Sequence, residues 1–139
     1  MGKNLLKSQH QNCLVVDQDF EDGEEPVKVC VRDGVPVDFG KKITGPCSII
    51  GEWPGFMRIS PTVAEKIAKR AEEYIARPPV TETYEEAIRD VLTTEPSGTF
   101  DYMDVTGIPW IEIDFPEDLT RAKEVILPRI ENFDDSGWE

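Results

Sequence analysis

The stretch "VKVCVRDGVPVDFG", residues 27–40, decides the fold. Val27, Val29 and Val31 alternate with polar or smaller residues, which sets them on one face of a strand. Asp33-Gly34 is the residue choice of a two-residue turn whose central positions take positive φ. The segment therefore reads as a β-hairpin. Pro36, unable to donate a ladder hydrogen bond, belongs on an edge strand.

Upstream of the hairpin, "DQDFEDGEEP" is an acidic loop, preceded by "NCLVV" (residues 12–16), a buried strand ending at Asp17. A short amphipathic piece around Leu5 and Leu6 comes before that strand. Downstream, "KKITGPCSIIGEWPGFMRIS" reads as a loop and then a strand, punctuated by Gly and Pro. Ser60 caps a helix with Pro61 in its first turn and Val63, Ala64, Ile67, Ala68, Ala71 and Ile75 at helical spacing; Pro78-Pro79 stops it. A second helix over residues 83–93 starts with a capping box, Thr83 with Glu86, and turns Ala87, Ile88, Val91 and Leu92 inward. A strand near "FDYMDV" leads to "GIPWIEIDFPEDLTRAKEVI" (residues 107–126), read as a strand followed by a third helix ending at Pro128. The tail "ENFDDSGWE", residues 131–139, is acidic and expected to be loose. Strands alternating with about three helices around one hairpin give an α/β class with a mixed sheet. The strands are too few for a complete doubly wound fold, so residues 1–130 look like one part of such a domain.

Composition narrows the function. A chain of 139 residues with 39% hydrophobic content supports one modest core. The formal net charge of −13 disfavours nonspecific binding to nucleic acid or to an anionic membrane. No run approaches a membrane span and the N-terminus lacks a signal-peptide core, so the expected compartment is cytoplasmic. Cys13, Cys30 and Cys47 form no CxxC motif and are odd in number, which reads as buried reduced thiols. With His10 as the single histidine, His-based triads and zinc sites are improbable.

In "WIEID", strand alternation would put Trp110, Glu112 and Asp114 on one side, opposite Ile111 and Ile113. Two carboxylates at a strand's C-terminal end suit a hard cation such as Mg²⁺. Asp114 with Glu117 also forms a D-x-x-E box, so a simple helix cap competes with the metal reading. After "FG", Lys41 or Lys42 offers an ammonium for a phosphate, or is merely solvated. Glu52 in "GEWPG" sets a carboxylate beside an aromatic ring, a pairing that holds a cationic amine, although a surface turn would use the same residues. Neither GxGxxG nor GxxxxGK[ST] occurs.

Taken together, "CLVVD", "EPVKVCVRDGVPVDFGKKI", "GEWPGFMRIS", "TYEEAIRDVL" and "GIPWIEIDFPEDLTRAKEVI" resemble the sugar-phosphate and phosphocholine-type nucleotidyltransferases over residues 4–130. The last motif is the most specific, and "GEWPG" is similar to the cytidylyltransferase branch. The resemblance implies a Rossmann-like mixed-sheet fold and Mg²⁺-assisted transfer of a nucleotidyl group from an NTP, CTP favoured, to a phosphorylated alcohol, amine or phosphonate such as phosphocholine, with release of pyrophosphate. It implies Glu112 and Asp114 as metal ligands and Lys41 as the contact to the acceptor's phosphate. Glu52 would face the acceptor's alcohol or amine, with Trp110, Tyr84 and Glu85 lining the pocket. The family's glycine-rich NTP loop and early aspartate have no match here, so the chain is expected to correspond to the C-terminal half and to be inactive alone. It would pair with an N-terminal half or with itself through an exposed sheet edge. The alternative is a non-catalytic binding or interaction module derived from that fold.

Overall fold

The computed structural model describes residues 1–134. The chain runs α1 (Gly2–Lys7), β1 (Cys13–Val16), β2 (Lys28–Arg32), β3 (Val35–Gly40), β4 (Ile49–Glu52), β5 (Met57–Arg58), α2 (Pro61–Ile75), α3 (Tyr84–Thr94), β6 (Asp101–Asp104) and α4 (Pro116–Arg121). A π-helical turn (Ala122–Ile126) then leads into α5 (Leu127–Glu131). The class is mixed α/β, built on two small sheets of order β5-β1-β6 and β3-β2-β4. Only β1 and β6 are parallel, joined across the intervening helices α2 and α3. Asp17 links the sheets: it exchanges both backbone hydrogen bonds with Glu52, at 2.9 and 2.8 Å.

The hairpin forms as its sequence requires, with Asp33 and Gly34 at φ 52 and 80 and Pro36 on the outer strand of its sheet. Leu14, Val16, Val29, Val31 and Phe39 pack with Val63, Ile88, Val91 and Leu92 of the two long helices in the main core. Each such fully buried side chain contributes about 1.5–3 kcal/mol, which lets strands of four or five residues keep their register. Cys13 and Val15 face the other way, into a smaller cluster with Leu5 and Val105. The caps also form: Ser60 Oγ accepts from Val63 N at 3.3 Å, and the Glu86 carboxylate accepts from Thr83 N at 2.8 Å. Helix α2 outlasts the surface it packs on, so Ile75 is exposed rather than inward.

Several expectations are corrected. Residues 109–114 form no strand. Gly107 at φ 96 turns the chain after β6, and Pro109 cannot donate, so the segment leaves the sheet and Ile113 is exposed. The cap of α4 is not Asp114 with Glu117. Phe115 precedes the helix, and Asp118 reaches back to accept from Asp114 N at 3.1 Å and Phe115 N at 2.9 Å. Pro128 does not end the last helix. Leu127 N bonds Ala122 O five residues back, and this wider turn relieves the clash between a proline ring and the carbonyl four residues earlier. Cys30 and Cys47 are joined in a disulfide, leaving Cys13 as the free thiol. Ser48 N donates to Val31 O at 2.8 Å, folding the loop back so that Cys47 meets Cys30 across a separation no spacing rule marks. Of the expected loose tail, Glu131 belongs to α5, and residues 135–139 lie outside the described residues. Among the described residues no helix is long and apolar enough to cross a membrane.

Candidate functional site

The register of four strands gathers charged groups at one rim. Lys28 at the start of β2 stands opposite Glu52 at the end of β4 and opposite Gly40 at the end of β3, next to Lys41. Asp17, just past β1, stands opposite Glu52. Directly opposed residues share a face of the sheet, so Asp17, Glu52 and Lys28 leave the face turned away from the main core. The crossing of β1 and β4 is tight. A Cβ on Gly51 would lie 2.4 Å from Val16 Cγ1 and 2.6 Å from the Asp17 carbonyl oxygen, so glycine is the residue that allows it.

Trp110 reaches this rim from the segment after β6, and its Nε1–H donates to Asp17 Oδ2 at 2.6 Å. Asp19 N donates to the other oxygen at 2.9 Å. The Asp17 carboxylate is buried with both oxygens engaged, and it anchors the non-strand segment that carries Glu112. Glu52 is half-buried. Burial, followed by the charges of Asp17 and Glu112, pushes its carboxyl above the usual range. Tyr84, at the start of α3, is largely exposed; partial desolvation, then Glu85 and Glu112, push its hydroxyl up, and its ring lies 6.5 Å from that of Trp53. Trp53 is fixed in turn by Phe39, at 5.1 Å between rings, and by donating Nε1–H to Phe56 O at 2.8 Å.

Glu52 and Tyr84, on separate parts of the chain, thus both feel the charge of Glu112, while Trp110 is held beside Glu52 through Asp17 and Glu85 adjoins Tyr84. Lys41 flanks it and pairs with Glu25 at 3.3 Å. Asp114 is exposed on the approach to α4, and no described contact joins it to the group. Sequence reasoning missed two participants, Asp17 and Lys28. Each carried a faint signal, Asp17 as the acid ending an all-apolar strand and Lys28 as a lone cation among alternating valines.

Three carboxylates and the indole and phenol rings form an electronegative, partly apolar surface. Such a surface suits an ammonium group, which gains from both charge and π-faces. Hard-cation chemistry has the right donor atoms in Glu112 and Asp114, but among the described residues no three potential ligands converge on a common point. The cleft of about 450 Å³ between α2 and α3 competes poorly as a site. Most of its charges are paired with one another, Arg70 with Asp90 and Glu73, each at 2.7 Å, and Lys66 with Glu95. No protein-family model matches the chain, and no curated protein matches it significantly.

Proposed function

We propose that this chain carries the acceptor-binding part of a cytidylyltransferase-type nucleotidyltransferase on a Rossmann-like mixed sheet. The acceptor is a phosphorylated amino alcohol of the phosphocholine class. The observation that supports this most is that Glu52 faces Asp17, which holds Trp110, and feels the charge of Glu112, a grouping of acids and an aromatic ring that would suit a cationic amine, with Lys41 near the end of β3 for a phosphate. In the reaction an oxygen of the acceptor's phosphate bonds to the α-phosphorus of the NTP, CTP by resemblance, as the bond to pyrophosphate breaks.

Glu52 would hold the ammonium end, with Trp110, Tyr84 and Glu85 shaping its pocket. Lys41 would steady the attacking phosphate as a point charge. By the resemblance, Glu112 and Asp114 would be the residues to hold Mg²⁺, whose contribution would be charge neutralisation at the transferred group. With neither familiar phosphate-cradling motif in the sequence, the nucleotide would be held by a partner segment, and the chain alone would bind acceptor without turning it over. The same lack of a cradle motif in the sequence favours a second reading, a non-catalytic small-molecule-binding or interaction module derived from that fold.

Nitrogen-15 NMR of the tryptophan indoles separates these from an inert surface. Phosphocholine should shift the Trp110 indole signal in proportion to occupancy. Shifts absent from both Trp110 and Trp53 would remove the pocket from the account.

A further inference from the structure

Immediately after Asp17 the chain makes the acidic excursion of residues 18–26; Gln18 and Asp19 tie its start to Thr106, Asp104 and Asp17, and two carboxylates farther along are held by lysines of the rim. Asp22 accepts from Lys28 Nζ at 3.1 Å, reinforced by the Gly23 carbonyl at 3.1 Å. Glu25 pairs with Lys41 at 3.3 Å. Lys28 stands opposite Gly40, the residue before Lys41, so the two lysines start from adjacent backbone and both reach the same loop.

The two ends of the first pair differ sharply in exposure. The Lys28 side chain is 9% exposed while its partner Asp22 is 81% exposed. A buried ammonium is costly without an anion beside it, so the sheet has fixed a cation whose counter-charge comes from a loop lying in solvent. Lys28 pulls the Asp22 carboxyl below its usual range, so this contact persists at neutral pH and is lost as pH falls through that lowered value. Glu25 is equally open, at 85% exposure. Two carboxylates of one loop thus sit where the oxygens of a phosphomonoester could take the same donors.

We propose that residues 18–26 are an internal stand-in for the ligand's phosphate, that Lys28 with Lys41 forms the phosphate subsite, and that binding displaces Asp22 and Glu25. This rests on the acceptor reading above and extends it in two respects: it assigns Lys28 a ligand-binding role, and it makes the loop a competitor for the site. Amine-only ligands would leave the loop in place, whereas phosphorylated ones would release it.

Calorimetric titration of the full chain with inorganic phosphate tests this. The Asp22→Asn/Glu25→Gln double variant should bind phosphate about tenfold more tightly than the unaltered chain, the gain expected from freeing two ion-paired lysines. Glu21→Gln/Glu24→Gln removes the same charge from the same loop, but neither residue pairs with a lysine among the described residues, so this control should gain less than about twofold. Adding Lys41→Met to the first double variant should abolish the gain, and Lys28→Met should do so wherever the chain still folds by circular dichroism. Equal gains in the two double variants, or no gain in the first, would overturn the proposal. Choline, which has no phosphate, keeps the two readings apart. Retained choline binding without the phosphate gain overturns the loop competitor alone, while the phosphate gain without choline binding upholds the subsite and removes the amine pocket.

Discussion

Glu52 faces Asp17, feels the charge of Glu112 as well, and has Lys28 opposite it on β2. Burial and its two acidic neighbours raise its carboxyl, so between the ordinary value and the raised one the folded chain binds more protons than the unfolded chain. Stability therefore falls as pH rises through that window and is regained on acidification. Glu52→Gln should increase the urea midpoint at pH 7 and flatten its dependence between pH 4 and 7, about the range in which carboxyls titrate. An unchanged or lowered midpoint would contradict this picture of a residue strained in the absence of a cation. Its role was half legible in the sequence: "GEWPG" pointed to a carboxylate beside a ring, but its acidic neighbours come from residues 17 and 112, and no local pattern records that meeting.

At the scale of elements, what the sequence disclosed was what local chemistry decides. Asp33-Gly34 has the φ freedom a tight hairpin needs, and Thr83 with Glu86 satisfies its own helix start, so both were readable. The "WIEID" run was not, because alternation describes a strand only where a partner edge is available, and this segment is held by Trp110 on Asp17 instead. The disulfide was equally hidden, since the loop's return to β2 creates it. The β1–β4 crossing is the element that positions the site, and it depends on Gly51. Gly51→Ala should destabilise the chain by about 1–3 kcal/mol, the usual cost of overpacking, and should weaken ligand binding by displacing Glu52. Urea unfolding checks the first effect and calorimetry the second. A variant as stable as the parent would mean that the strands can separate without loss.

Across the whole molecule, a net charge of −13 creates a field that attracts cations and repels free phosphates, so a phosphate needs dedicated lysines to settle here. On the proposed reading the rim would supply carboxylates and aromatic rings to an ammonium, and Lys28 with Lys41 to a phosphate. A zwitterion carrying an ammonium and a phosphate fits that pattern better than either ion alone. The Cys30–Cys47 bridge fastens the loop after β3 to β2. The central claim is that this rim is an acceptor pocket for a phosphorylated amine. Calorimetric titration of the unaltered chain and of Glu52→Gln with phosphocholine tests it most directly. Saturable one-to-one binding is expected for the unaltered chain, with a loss of about tenfold or more in the variant, as removing a charged partner from a cation site entails. Absence of binding, or equal affinity in the two proteins, would contradict it.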